Sequence, residues 1–197
     1  MLKNDFINTE YEARAMVSEE QYNRILAHFL SASSKKVQSV NTNTYFDYED
    51  LYLTNNHIVL RARSINDSEF ELTVKIKSEN GDVEYNHLLT LNEYNEINRT
   101  AIIPDSIVKD KLIEKEVDLS GLKIIATLKT ERLEIIEENY ILVIDKNYFR
   151  DRVDFNVEVE STNKEKAISC LNTYFSPFGV KYKKGYISKS QRAIFNL

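Results

Sequence analysis

Glu158 and Glu160 share one face of the stretch Val153 to Ser161 with Asp154 and Asn156, while Val153, Phe155, Val157 and Val159 share the other, because strand side chains alternate with a period of two. Glu10 and Glu12 repeat the acidic spacing near the N-terminus, and Arg61 with Arg63 and Lys75 with Lys77 give basic versions of it. Four strands thus carry two like charges on one face. Like charges in register repel unless something of opposite sign lies between or across from them. Carboxylates with no nearby His or Cys suit hard divalent cations such as Mg²⁺ or Mn²⁺. Rows of Arg and Lys suit a polyanion held along its length, with Arg able to grip phosphoryl oxygens bidentately.

The elements that must position these residues are mostly strands. Asn8 to Met16 reads as the first, with Glu10, Glu12, Arg14 and Met16 facing one way and Tyr11, Ala13 and Ala15 the other. Val37 to Phe46, His57 to Ser64, Phe70 to Lys77, Val83 to Leu91, Leu122 to Ile136, Tyr140 to Lys146 and Val153 to Ser161 complete the set. Arg132 and Asp145 are the ionic residues of interest on the last meander. Polar turns are expected at Asp47 to Asp50, taken as a solvated turn, at Ile65 to Ser68 and at Glu79 to Asp82.

Helices separate these strands. Ser18-Glu19-Glu20-Gln21 forms a capping box that opens a helix to about Leu30, with Tyr22, Ile25, Leu26, Phe29 and Leu30 as its apolar stripe. Thr162-Asn163-Lys164-Glu165 is a second box, followed by a helix to Phe175 with Ala167, Ile168, Leu171 and Phe175 on one side. Shorter helices are expected around Asn92 to Asn98, from Ser106 to about Lys115, and from a third box at Ser188 to Gln191. The fold class is therefore α+β: about eight antiparallel strands whose apolar faces pack outward on helices. Closing the sheet into a barrel would remove its edges and leave the ionic faces lining a polar interior tunnel. So many buried charges require pairing, metal or water.

At 197 residues the chain fits one domain over residues 1–197, and its net charge of −5 points to no general affinity for nucleic acid. No apolar run reaches membrane-spanning length, and Met1-Leu2-Lys3-Asn4-Asp5 lacks a signal-peptide core, so a cytoplasmic location is expected. Cys170, the single cysteine, excludes an intrachain disulfide and a thiolate cluster; it falls on an apolar helix side near Leu171 and Tyr174. His28, His57 and His87 lie apart without ligand spacing and read as structural or solvated.

Glu10-Tyr11-Glu12-Ala13-Arg14 resembles the N-terminal Glu-x-Glu-x-Lys signature of the CYTH family, the triphosphate tunnel metalloenzymes, of the Gram-positive single-domain type. The resemblance continues in order through Tyr45-Phe46-Asp47, Leu60-Arg61-Ala62-Arg63, Leu72-Thr73-Val74-Lys75, Thr130-Glu131-Arg132, Val143-Ile144-Asp145, Asp154 through Glu160, and Ser188-Lys189-Ser190-Gln191-Arg192. It implies a closed eight-stranded tunnel and a divalent-metal-dependent hydrolase, inorganic triphosphatase first, with thiamine triphosphatase, adenylate cyclase or a noncatalytic polyphosphate- or nucleotide-binding module as alternatives. Glu10, Glu12, Asp145, Glu158 and Glu160 would then hold Mg²⁺ or Mn²⁺. Arg14, Arg61, Arg63, Lys75, Lys77, Arg132, Lys184, Lys189 and Arg192 would bind phosphate, with Arg14, Lys75 and Arg132 as the catalytic group. The implied partner is a small-molecule triphosphate or nucleotide, with no membrane and no nucleic acid, and a homodimer is allowed. Arg14 departs from the signature Lys: charge and phosphate contact survive, but a neutral amine acting as base does not, because Arg stays protonated.

Overall fold

The computed structural model describes residues 4–33, 35–77 and 81–197, with the side chain of Glu10 outside the description. Its elements run β1 (Asp5–Val17), α1 (Glu19–Ala32), β2 (Lys36–Asp47), α2 (Tyr52–Asn55), β3 (Ile58–Ile65), β4 (Glu69–Ile76), β5 (Asp82–Leu89), α3 (Leu91–Thr100), α4 (Ile107–Glu114), β6 (Lys123–Ile136), β7 (Tyr140–Tyr148), β8 (Val153–Ser161), α5 (Lys164–Phe175) and α6 (Lys189–Ile194). The expected α+β class and antiparallel pairing are both present. β4 stops before Lys77, and the turn expected at Glu79 to Asp82 lies largely outside the described residues.

The chain divides into two compact units, and the boundary between them falls within β1, β2 and β6. One unit comprises Met1–Thr9, Asn41–Leu128 and Lys189–Leu197. Its sheet runs in the order β5-β4-β3-β2, with Leu60, Ala62, Leu72 and Val74 on the face that meets Ile97 of α3 and Val108 and Leu112 of α4. The other unit comprises Glu10–Val40 and Lys129–Ser188. Its sheet runs β1-β8-β7-β6, and Ala13, Ala15, Ile144, Val157 and Val159 pack with Ile25 and Phe29 of α1 and Leu171 and Phe175 of α5. In both units, burial of the apolar strand face supplies the main drive for folding and turns the ionic face away from the helices. Cys170 is half-buried against the second core, and burial raises its thiol pKa.

Capping fixes where the helices begin. Ser18 Oγ accepts from Gln21 N at 3.1 Å and Gln21 Oε1 accepts from Ser18 N at 2.9 Å, the reciprocal pair expected for α1. α3 has an equivalent pair between Thr90 and Glu93. α5 is capped by Asn163, whose Oδ1 accepts from Lys166 N at 2.8 Å, one residue later than the box read at Thr162. Asp47 also differs from the expected solvated turn: it is buried and its carboxylate binds the start of α2. Oδ1 accepts from Leu53 N at 2.8 Å, and Oδ2 accepts from Thr54 N at 2.9 Å and Thr54 Oγ1 at 2.7 Å. The position preceding α2, Leu51, offers no side-chain cap, so a carboxylate from the end of β2 meets the first-turn amides instead.

Candidate functional site

In the second unit, register brings the acidic strands together. Glu12 lies opposite Glu160 and Arg14 opposite Glu158 across the β1-β8 ladder, while Arg132 lies opposite Asp145 across β6-β7. Arg132 makes a bidentate fork on Asp145, Nε to Oδ1 at 2.9 Å and Nη2 to Oδ2 at 3.0 Å. It also reaches Glu134 at 3.3 Å, Glu158 at 3.5 Å and Glu160 at 3.6 Å. Arg14 binds Glu12 through Nη2 and Glu158 Oε1 through Nε. Asn156 joins the two carboxylates, its Nδ2 donating to Glu158 Oε1 at 3.2 Å and Asp145 Oδ2 at 3.3 Å. Its own Oδ1 accepts from Asn147 Nδ2 at 2.7 Å. Asp154 sits at the edge of this network, accepting from Asn147 at 3.0 Å and Arg152 at 2.8 Å.

Asp145, Asn156 and Glu158 are buried, so these contacts act in a medium that strengthens them and penalises any group left alone. Burial lowers the pKa of Arg14, but Glu12, Glu158 and Asp145 together outweigh it and raise the guanidinium above its already high value. Arg132 shows the same balance: burial opposes its charge, and Asp145, Glu160 and Glu158 more than restore it. Both groups are permanent cations.

The donor set of this face consists of carboxylates, the chemistry of a hard divalent cation. Two guanidiniums stand among the five carboxylates Glu12, Glu134, Asp145, Glu158 and Glu160, leaving an excess of negative charge that a cation would offset. Among the described residues no three His, Cys, Asp or Glu side chains are grouped as a ligand set, and Arg14 and Arg132 are paired with these carboxylates. The carboxylates present fit a hard divalent cation in type. The side chain of Glu10, expected in the same set, lies outside the described residues.

In the first unit the basic face is laced with acids. Arg63 Nε donates to Asn43 Oδ1 at 2.9 Å and Nη1 lies 3.4 Å from Glu71. Arg61 lies 3.7 Å from both Glu71 and Glu84. Lys75 lies 3.1 Å from Glu84 and 3.4 Å from Asp82. Thr73 Oγ1 donates to Asn86 Oδ1 at 2.8 Å between them. Burial works to raise the Glu84 pKa, but Arg61, Lys75 and Arg63 pull it down to about 2, so it is a carboxylate at neutral pH. Glu84 escaped the sequence criterion because Asp82, its like-charged neighbour two residues away, falls in the turn expected at Glu79 to Asp82 and not in the expected strand; its place opposite Lys75 depends on the β4-β5 register.

Of the remaining expected residues, Lys189 is half-buried and Arg192 buried on α6, in the first unit. Lys77 and Lys184 are exposed. His87 is buried with Nδ1 2.7 Å from Asp5 Oδ1, and no described histidine joins a metal-ligand group.

Comparison with known proteins bears on this arrangement. The CYTH domain family model matches residues 8–175. The Bacillus subtilis (strain 168) protein "Putative triphosphatase YjbK" is 24% identical over 177 residues, covering 89% of each chain. The solved structure of a "putative adenylate cyclase" from Bacillus halodurans is 27% identical, with a TM-score of 0.85 over 94% of this chain and 97% of that one. A Hippeastrum protein, HpAC1, described as a "putative adenylyl cyclase" with a dominant triphosphatase activity, shares the fold at 18% identity and a TM-score of 0.76, over 94% and 93% of the two chains.

Proposed function

Since the chain belongs to the CYTH domain family, we propose that it is a divalent-metal-dependent hydrolase of triphosphate-containing substrates, acting on inorganic tripolyphosphate to give pyrophosphate and orthophosphate. The observation that carries this reading is the pairing of Glu12 with Glu160 and of Arg14 with Glu158 on one ladder, which sets cation-binding oxygens beside phosphate-binding guanidiniums. The proposed hydrolase is a single domain built on a closed eight-stranded tunnel that is lined by ionic strand faces. The likeness to YjbK supports the hydrolase, and that to the Bacillus halodurans protein makes ATP cyclisation the second reading.

Glu12, Glu158 and Glu160, with Glu10 and Asp145, would hold Mg²⁺ or Mn²⁺. The bound metal supplies neutralisation of phosphoryl charge and a water of lowered pKa. Arg14, Arg132, Arg61, Arg63, Lys75, Lys189 and Arg192 bind phosphoryl oxygens, as do the exposed Lys77 and Lys184. Such fixed cations stabilise the charge spread over the equatorial oxygens in phosphoryl transfer. Arg14, Lys75 and Arg132 act on the transferring group. Glu71, Glu84 and Asp82 balance the basic face until a polyanion replaces them. The substrate is a small molecule met in the cytoplasm; among the described residues no helix is long and apolar enough to cross a membrane.

The test is product analysis with tripolyphosphate, thiamine triphosphate and ATP, each with Mg²⁺ or Mn²⁺. Orthophosphate is expected from tripolyphosphate at the highest kcat/KM. Cyclic AMP and pyrophosphate from ATP as the dominant products would replace the hydrolase with the cyclase, and tight tripolyphosphate binding with no product would replace both with a binding module.

A further inference from the structure

Arg14 does more than line the acidic face. Its Nη2 holds Glu12 and its Nε holds Oε1 of Glu158, while Oε2 of Glu158 is reached by Arg132 at 3.5 Å. Both oxygens of the buried Glu158 are therefore in guanidinium hands, and Oε1 also accepts from Asn156. Arg132 is anchored independently by its fork on the fully buried Asp145, with both of its nitrogens on that carboxylate within 3.0 Å. Arg14 is the cation that bridges two carboxylates from different strands, β1 and β8, without such a private anchor.

Resting on the reading of this face as the metal site, we propose that Arg14 is a built-in competitor of the divalent cation, and that a phosphate chain loads the metal by drawing the Arg14 guanidinium off Glu12 and Glu158. A planar fork satisfies two carboxylates at once and a divalent cation needs the same oxygens, so the two occupy them in alternation. A phosphoryl group gives the guanidinium an acceptor of equal geometry, and the released carboxylates turn to the metal. Metal and triphosphate thereby raise each other's affinity, as linkage requires. A lysine at this position would present a point charge on a flexible stem and hold the two carboxylates less firmly. The Arg in place of Lys thus makes the site hold metal poorly until substrate arrives.

The experiment is Mn²⁺ titration followed by the electron paramagnetic resonance of free Mn²⁺, with no phosphate present, on the intact chain and on its Arg14→Lys, Arg14→Gln, Glu158→Gln and Arg14→Lys/Glu158→Gln variants. Arg14→Lys is expected to bind Mn²⁺ roughly 10-fold more tightly than the parent, within the range of ordinary coupling between sites. Arg14→Gln is expected to bind at least as tightly as Arg14→Lys, and the double variant to lose the gain. Equal affinity in the parent and both Arg14 variants, with Glu158→Gln weaker, would keep the metal site and overturn the competition. Tightening in Arg14→Gln alone would assign the effect to net charge and likewise overturn the role of the fork. Mn²⁺ binding unchanged by Glu158→Gln would remove the metal site itself, and the inference with it.

Discussion

Glu158→Gln is expected to lower metal-dependent orthophosphate release from tripolyphosphate by ~10²–10³-fold, the usual consequence of removing one preorganised electrostatic group from a reacting centre. Glu158 is buried, lies opposite Arg14 on the β1-β8 ladder, and is the carboxylate that Arg14, Arg132 and Asn156 all contact. The amide keeps the shape and one acceptor oxygen, so the fold should persist while the charge that draws the cation is gone. Steady-state kinetics at saturating Mn²⁺, paired with a thermal melt, separates the two effects. A variant that melts like the parent and keeps activity within about fivefold would remove Glu158 from the metal site, since such a change is smaller than the loss of a reacting-centre charge.

Asp145→Ala carries the largest expected loss of stability. Its carboxylate is fully buried and takes the fork of Arg132, so truncation leaves a guanidinium desolvated with its main partner gone. Breaking a buried pair by removing one member costs ~3–5 kcal/mol. For a chain of this size that corresponds to a fall of roughly 10 °C in Tm. Asp145→Asn retains an acceptor for the Arg132 Nε and should fall between the two. Urea unfolding of the three proteins checks the order, and a loss under about 1 kcal/mol in Asp145→Ala would mean that the remaining carboxylates around Arg132 suffice.

The alternation of strand side chains made much of this legible. Period-two charge patterns place Glu12, Arg14, Arg61, Arg63, Lys75, Glu158 and Glu160 on ionic faces, and the capping box at Ser18 fixes the start of α1. Alternation identifies faces but not partners. The contact between Arg14 and Glu158 spans 144 positions of sequence and depends on the register of β1 against β8. Glu84, whose like-charged neighbour Asp82 falls in an expected turn, becomes part of the basic face through the register of β5 against β4. Asp47 looked like one acid among several in a polar turn, yet it is buried because the amides of α2 need an acceptor that Leu51 lacks. The shift of the α5 cap from Thr162 to Asn163 is of the same kind: both side chains can cap, and the chain's entry into the helix selects one.

A divalent cation on the acidic face is proposed to take part in cleaving a phosphoanhydride. The decisive measurement is orthophosphate release from tripolyphosphate by the intact protein before chelation, after EDTA, and after Mn²⁺ or Mg²⁺ is restored. Release is expected to stop with the chelator and to return with the metal. Release that continues unchanged after exhaustive chelation, or that never occurs with either cation, would contradict it.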